Sequence, residues 1–136
     1  MTRINLVPPY EMNKVHVLAE LRELPRIFSY VRKYGIKKER ISNKYCLGAG
    51  HVLFFTDKLM FLIKRYNYLY EFAIKNKLNF NYIPEHLSFE YCDILSSKEQ
   101  IEWLPTEEEI LISKERLLYK ISLKPDWYRQ RNWVFN

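Results

Sequence analysis

Three glycines, two cysteines and three histidines in 136 residues exclude several kinds of chemistry at the outset. Cys46 and Cys92 stand far apart, which suits reduced thiols in an intracellular, cytoplasmic protein better than a disulfide scaffold. His16, His51 and His86 have no ligand spacing to one another or to a cysteine, so no metal is expected. Gly48 and Gly50 form a lone GxG without the third glycine of a nucleotide-binding turn, and are expected instead to allow close backbone packing. No run of about 18 uncharged apolar residues exists, so no membrane span is expected. Charges at Arg3, Glu11, Lys14 and Glu20 also break up any secretory signal in the first twenty residues. Repeats, low-complexity tracts and flexible linkers are missing too.

What remains is rich in core-forming residues. The apolar share is 48% and the aromatic share 16%, enough for one domain spanning residues 1–136 with a real hydrophobic centre. Charge is unevenly spread. Residues 1–66 carry 13 basic against five acidic side chains, residues 78–109 one against eight, and residues 110–136 six against two. Two basic ends around an acidic middle suit one face for a polyanion and another for water. Nucleic acid is the natural partner; an ordinary solvated surface is the plain alternative.

Three helical patterns stand out, and the expected class is all-α with three main helices. Val17, Leu21, Leu24, Phe28 and Val31 alternate spacings of four and three, which puts them on one face. Pro25 interrupts this pattern, removes a helical hydrogen bond and is expected to kink the first helix. A second helix is expected from Gly50 to about Asn76, with Val52, Phe55, Leu59, Leu62, Tyr66, Leu69 and Ala73 as its apolar stripe. The third is announced by Thr106 and Glu109 at capping-box spacing, carries Ile110, Leu117 and Ile121 on one face, and stops before Pro125. Residues 79–105 have no clean period and read as a long acidic connection.

The first helix carries the most suggestive charges. Arg22 and Arg26 sit one turn apart, a like-charge pair that costs an isolated helix about 0.2–0.5 kcal/mol. Phosphates would offset that cost, but Glu23 could equally pair with Arg26 across i, i+3. His16 and Glu20 lie on a neighbouring strip, where a surface hydrogen-bonded pair is the plain reading. For His51, a DNA contact and a capping or packing role both stand.

Taken together, "MTRINL", "LAELRELPRIF", "LGAGHVLFFTDKL", "ISKERL" and the Trp-Tyr pair at 127–128 resemble the phage-type endonuclease V family. That family is the pyrimidine-dimer DNA glycosylase with abasic-site lyase activity, distinct from the inosine-specific enzyme of similar name. The resemblance runs from the first residue to about Tyr128 and is weakest over residues 29–45 and 77–104.

The resemblance implies a monomeric, cofactor-free enzyme of duplex DNA repair. It implies that Met1 is removed and that the α-amine of Thr2 attacks the sugar carbon bearing the damaged base, forms a Schiff base and leads to strand cutting by β-elimination. An ordinary α-amine titrates at about 7.7–8.0, so a useful fraction is already neutral near pH 7. Glu23 is the implied catalytic carboxylate, stabilising the cationic sugar and assisting proton removal. Arg3, Arg22 and Arg26 are implied phosphate and active-site contacts. Arg116 and Lys120 match a second basic cluster, although a solvated helix face is the reading without the family. Trp127 and Tyr128 are implied DNA contacts. Gln130 and Arg131 stand where the prototype has stacking tyrosines, with Trp133 a candidate replacement, and Val15 and Leu21 replace a glutamine and a tyrosine. These departures leave two alternatives: an abasic-site lyase or glycosylase for another lesion, and a basic module that binds DNA without cutting it.

Overall fold

The computed structural model describes residues 2–78 and 99–134. Cys92, His86 and most of the acidic connection lie outside these residues. Among the described residues the regular structure is helical throughout. A short 3-10 turn over Pro9–Glu11 leads into α1 (Lys14–Glu23) and α2 (Pro25–Tyr34), and a second turn covers Lys38–Arg40. They are followed by α3 (His51–Phe55), α4 (Leu59–Lys75), α5 (Glu107–Leu123) and α6 (Pro125–Gln130). No helix among the described residues is long and apolar enough to cross a membrane.

The apolar stripes become the core. Val17, Leu21, Leu24, Phe28 and Val31 are all buried, as are Phe55, Leu59, Leu62, Tyr66, Leu69 and Ala73 of the second stripe. Pro25 interrupts the first helical pattern completely. Having no N–H to continue the ladder, it becomes the first residue of α2, and Leu24 alone joins the two helices.

The second helix departs from the expected single rod. Residues 56–58 divide it into α3 and α4, and the backbone groups that the break frees from the helical ladder find partners elsewhere in the chain. Gln100 donates from Nε2 to the Thr56 carbonyl at 2.9 Å, and its Oε1 accepts from the first N–H of α4, that of Leu59, at 2.9 Å. Lys58 is buried at the same place, with Nζ on Asp57 at 2.8 Å and on the Phe54 carbonyl at 2.8 Å. Trp103 then packs edge-on against Phe54, Phe55 and Phe61.

The third helix begins at the expected capping box. The Thr106 side chain accepts from the Glu109 N–H at 3.2 Å, and Glu109 Oε1 accepts from the Thr106 N–H at 3.0 Å. Glu109 Oε2 accepts in addition from the Tyr45 N–H at 2.7 Å, which ties the loop before α3 to the start of α5. Burial pushes this carboxyl upward, but the hydrogen bonds from Thr106 and Tyr45 outweigh it and hold its pKa below the usual carboxylate value.

Gly50 is the position before α3, and its role corrects the packing expectation. A Cβ there would meet Cys46 Sγ at an ordinary 3.6 Å, and at Gly48 it would meet nothing within 4 Å. Glycine is required because φ is +90° at Gly50, not because space is short.

Glu20 also corrects the sequence reading. It is fully buried, not part of a surface pair with His16. Arg65 of α4 grips it through Nε to Oε2 at 2.7 Å and Nη2 to Oε1 at 3.0 Å. Arg65 Nη1 also donates to the Val7 carbonyl at 2.6 Å. Such a pair gains little over apolar packing, yet removing one partner strands a buried charge. Arg65→Met should therefore cost about 3–5 kcal/mol. Urea denaturation would measure this, and a loss below about 1 kcal/mol would mean that Glu20 is not held as described.

Candidate active site

Residues 3–7 form a segment that lies in neither helix nor sheet. Their backbone groups are taken up one after another by side chains from four helices and the loop before α3. The Arg3 N–H donates to Glu23 Oε1 at 3.1 Å, the Ile4 N–H to His51 Nε2 at 2.8 Å, the Asn5 N–H to Glu20 Oε1 at 3.2 Å and the Leu6 N–H to Ser113 Oγ at 2.9 Å. The Ile4 carbonyl accepts from the Tyr45 hydroxyl at 3.0 Å. A buried amide must find such a partner, and this chain supplies it without β-pairing.

The upstream end of this segment opens on a cleft of about 320 Å³ between α1, α5 and the start of α6. Arg3, Asn5, Val15, His16, Ala19, Glu20, Glu23, Arg116, Leu117, Lys120 and Tyr128 line it. Glu23, the last residue of α1, is half-buried at its wall. Its carboxylate bonds the backbone of Arg3; among the described residues no ion pair joins it to Arg26. Arg3, Arg116 and Lys120 bring three cations to the same cavity.

Arg116 is the most constrained of them. Its Nη2 donates to Asn5 Oδ1 at 2.6 Å, while Asn5 Nδ2 donates to Glu20 Oε1 at 2.9 Å. A chain of hydrogen bonds thus runs from Arg65 through Glu20 and Asn5 to the cleft. Arg116 Nε and Nη1 are buried and have no partner among the described residues. Burial and the nearby Arg3 pull its pKa down, against the raising influence of Tyr45, Glu20 and Glu23. A half-buried cation at the cleft wall suits an anionic group entering the cleft.

The remaining expected residues divide. Arg22 and Arg26 are exposed on α1 and α2, outside the cleft lining. Tyr128 is 8% exposed and forms a cleft wall, with its hydroxyl 3.3 Å from His16 Nε2. Trp127 is half-exposed, and its ring lies under the Lys124 ammonium and the Arg131 guanidinium, at 4.8 and 4.3 Å from the centroid. Trp133, the candidate replacement for the stacking tyrosines, is half-buried and tied to the core. Its Nε1 donates to the Met12 carbonyl at 2.9 Å and its ring packs edge-on against Phe72.

Residues 1–83 match the model of the family described as pyrimidine dimer DNA glycosylase. The chain belongs to that family. A pyrimidine dimer DNA glycosylase is an enzyme of DNA repair that acts on damaged DNA, and the basic cleft agrees with such a substrate. The matched stretch includes Thr2, Arg3, Arg22, Glu23 and Arg26 of the glycosylase, whereas Arg116, Lys120, Trp127 and Tyr128 lie beyond it. It also contains His51, for which a DNA contact and a packing role both stood, and Glu20 and Asn5, which the sequence left without a role at the site. The only hint of Glu20 and Asn5 was a carboxylate and an amide placed among apolar neighbours.

Both described histidines of the glycosylase are held neutral. Burial lowers His51 to about 4 against the opposing pull of the Cys46 carbonyl, with Arg116 and Arg3 adding to the fall. Burial lowers His16 to about 4 as well, followed by Arg116 and Lys120. The unfolded chain therefore binds more protons than the folded one between about pH 6.5 and 4. Stability from these two groups is fully present above the unfolded value and declines as pH falls towards the folded one. The urea midpoint should drop through that window, and imidazole NMR resonances of His51 should stay constant down to about pH 5. Titration of His51 near 6.5 would contradict its place in the structure.

Proposed function

We propose that the chain acts as a bifunctional glycosylase and abasic-site lyase, with Met1 removed and the Thr2 amine as nucleophile. The observation that carries this reading is the bond from the Arg3 amide to Glu23 Oε1 at 3.1 Å, which sets a carboxylate one residue from the amine at the mouth of a basic cleft. The neutral amine attacks C1′ of the damaged nucleotide. The C1′–N bond breaks and the base leaves with its electron pair and takes up a proton. The bound amine then loses a proton, the C1′–O4′ bond breaks with O4′ taking up a proton, and the opened sugar is held as an iminium on Thr2. Loss of a C2′ proton then expels the 3′ phosphate by β-elimination.

Glu23 is suited to two steps of this sequence. Its negative charge opposes the positive charge that develops on the sugar and iminium, and its carboxylate is a base for the C2′ proton. Arg3, Arg116 and Lys120 offer donors for the flanking phosphates inside the cleft, while Arg22 and Arg26 extend the positive surface outside it. Trp127 and Tyr128 border this surface from α6. Binding is expected as a monomer on duplex DNA, through phosphate contacts weakened by salt.

Borohydride reduction of the protein with a duplex carrying one cyclobutane thymine dimer should trap an adduct, mapped by mass spectrometry to Thr2. Trapping only on an abasic duplex would leave a lyase without the dimer glycosylase step. Glu23→Gln should slow single-turnover base release by about 10²–10⁴-fold while DNA affinity is kept. Unchanged turnover in that variant would remove Glu23 from the chemistry, whereas absence of base release by the native protein itself would favour a binding module. Replacing Arg22 and Arg26 together by alanine should reduce the slope of log affinity against log salt by about 2. An unchanged slope would remove them from the DNA-contacting surface.

A further inference from the structure

The chemistry above uses neither His51 nor Tyr45, yet these two side chains hold both backbone groups of one residue. The Ile4 N–H donates to His51 Nε2 at 2.8 Å, and the Ile4 carbonyl accepts from the Tyr45 hydroxyl at 3.0 Å. The two rings meet edge to face with centroids 5.4 Å apart. Because His51 Nε2 accepts from an amide, its proton must be on Nδ1, which donates to the Cys46 carbonyl at 2.8 Å. Both ring nitrogens are thereby fixed. Tyr45 is anchored in turn by its own amide on Glu109 and by Phe54 and Phe55 around its ring. The Ile4 side chain is completely buried. A residue gripped through its donor, its acceptor and its side chain can neither slide nor turn.

We propose that His51 is a positioning residue for the Thr2 amine: with Tyr45 it clamps Ile4 and so sets where the amine lies relative to Glu23. The inference rests on the reading of Thr2 as nucleophile. Two residues of chain reach at most about 7 Å, so slack at Ile4 passes almost undiminished to the amine. A displacement of about 1 Å at a reacting centre is enough to cost about 10²-fold in rate. The Arg3 amide bond to Glu23 restrains the strand from one side only, and without an acceptor at position 51 the buried Ile4 N–H is left unpaired and the strand shifts to satisfy it.

A purely structural role for His51 would lower stability and nothing else, so the test separates the two. The protein, confirmed by mass spectrometry to begin at Thr2, is compared with His51→Phe, His51→Gln and Leu69→Ala. Single-turnover formation of the borohydride-trapped adduct is followed on an abasic duplex. Affinity is measured on a duplex with a tetrahydrofuran abasic analogue, and thermal unfolding is recorded for each variant. His51→Phe should trap more than about tenfold more slowly with affinity little changed. His51→Gln, whose side-chain oxygen can accept from Ile4, should recover most of the rate. Leu69→Ala, destabilised at a core side chain that makes no hydrogen bond to residues 3–7, should trap at the native rate well below its melting temperature. Equal rates in His51→Phe and native protein, equal slowing in Leu69→Ala, or no recovery in His51→Gln would each overturn the positioning role. If the native protein itself forms no adduct on Thr2, the nucleophile reading falls and this inference falls with it. If it does, and His51→Phe is unaltered, only the clamp is wrong.

Discussion

The architecture turns on satisfying the backbone of a largely buried segment that lies in neither helix nor sheet. Residues 4–7 are buried among the helices, and each buried amide left unpaired would cost about 1–3 kcal/mol. A neighbouring strand would settle this with a ladder. Here α1, α3, α4, α5 and the loop before α3 contribute one polar side chain after another: Glu23, His51, Glu20, Ser113, Tyr45 and Arg65. Polar groups that would be liabilities in an apolar core are thereby given partners, and the strand is held in one register. The buried ion pair between Glu20 and Arg65 belongs to this system more than to any ledger of stability.

The same arrangement shapes the electrostatics of the cleft. Glu23 brings the negative charge of its wall at the strand's upstream end, surrounded by Arg3, Arg116 and Lys120. The excess positive charge around this carboxylate draws in a polyanion. Arg116 joins the two systems, since Asn5 holds its guanidinium through Nη2 while the residue lines the cleft.

Local features of the sequence were legible in proportion to how local their causes are. The stripes of Val17 to Val31 and Phe55 to Ala73 bury as their periods require, Pro25 interrupts its helix, and Thr106 with Glu109 starts α5. The break at residues 56–58 was not legible, because Gln100 completes it from forty residues away. Glycine at 50 was noticed for the wrong reason, since a spacing argument cannot see the sign of φ. Glu20 looked like a surface partner of His16 because i, i+4 spacing carries no information about Arg65. Thr2 and Glu23 stood out through family resemblance alone; no periodicity marks a carboxylate that will bond the backbone of residue 3. Trp133 illustrates the converse, an aromatic whose position suggested stacking and whose indole is spent on the Met12 carbonyl.

The partners of this strand are also widely separated along the chain. Asn5 meets Glu20 15 residues later, Ile4 meets His51 47 residues later, and Leu6 meets Ser113 107 residues later. During synthesis residues 3–7 leave the ribosome long before Ser113 exists, at a pace of about 5–20 residues per second. The last tether of residues 3–7 is thus made well after the segment it holds. A truncated or half-made chain lacks Ser113, Arg116 and the far wall of the cleft, so the order of translation itself keeps an unfinished chain from presenting a complete site.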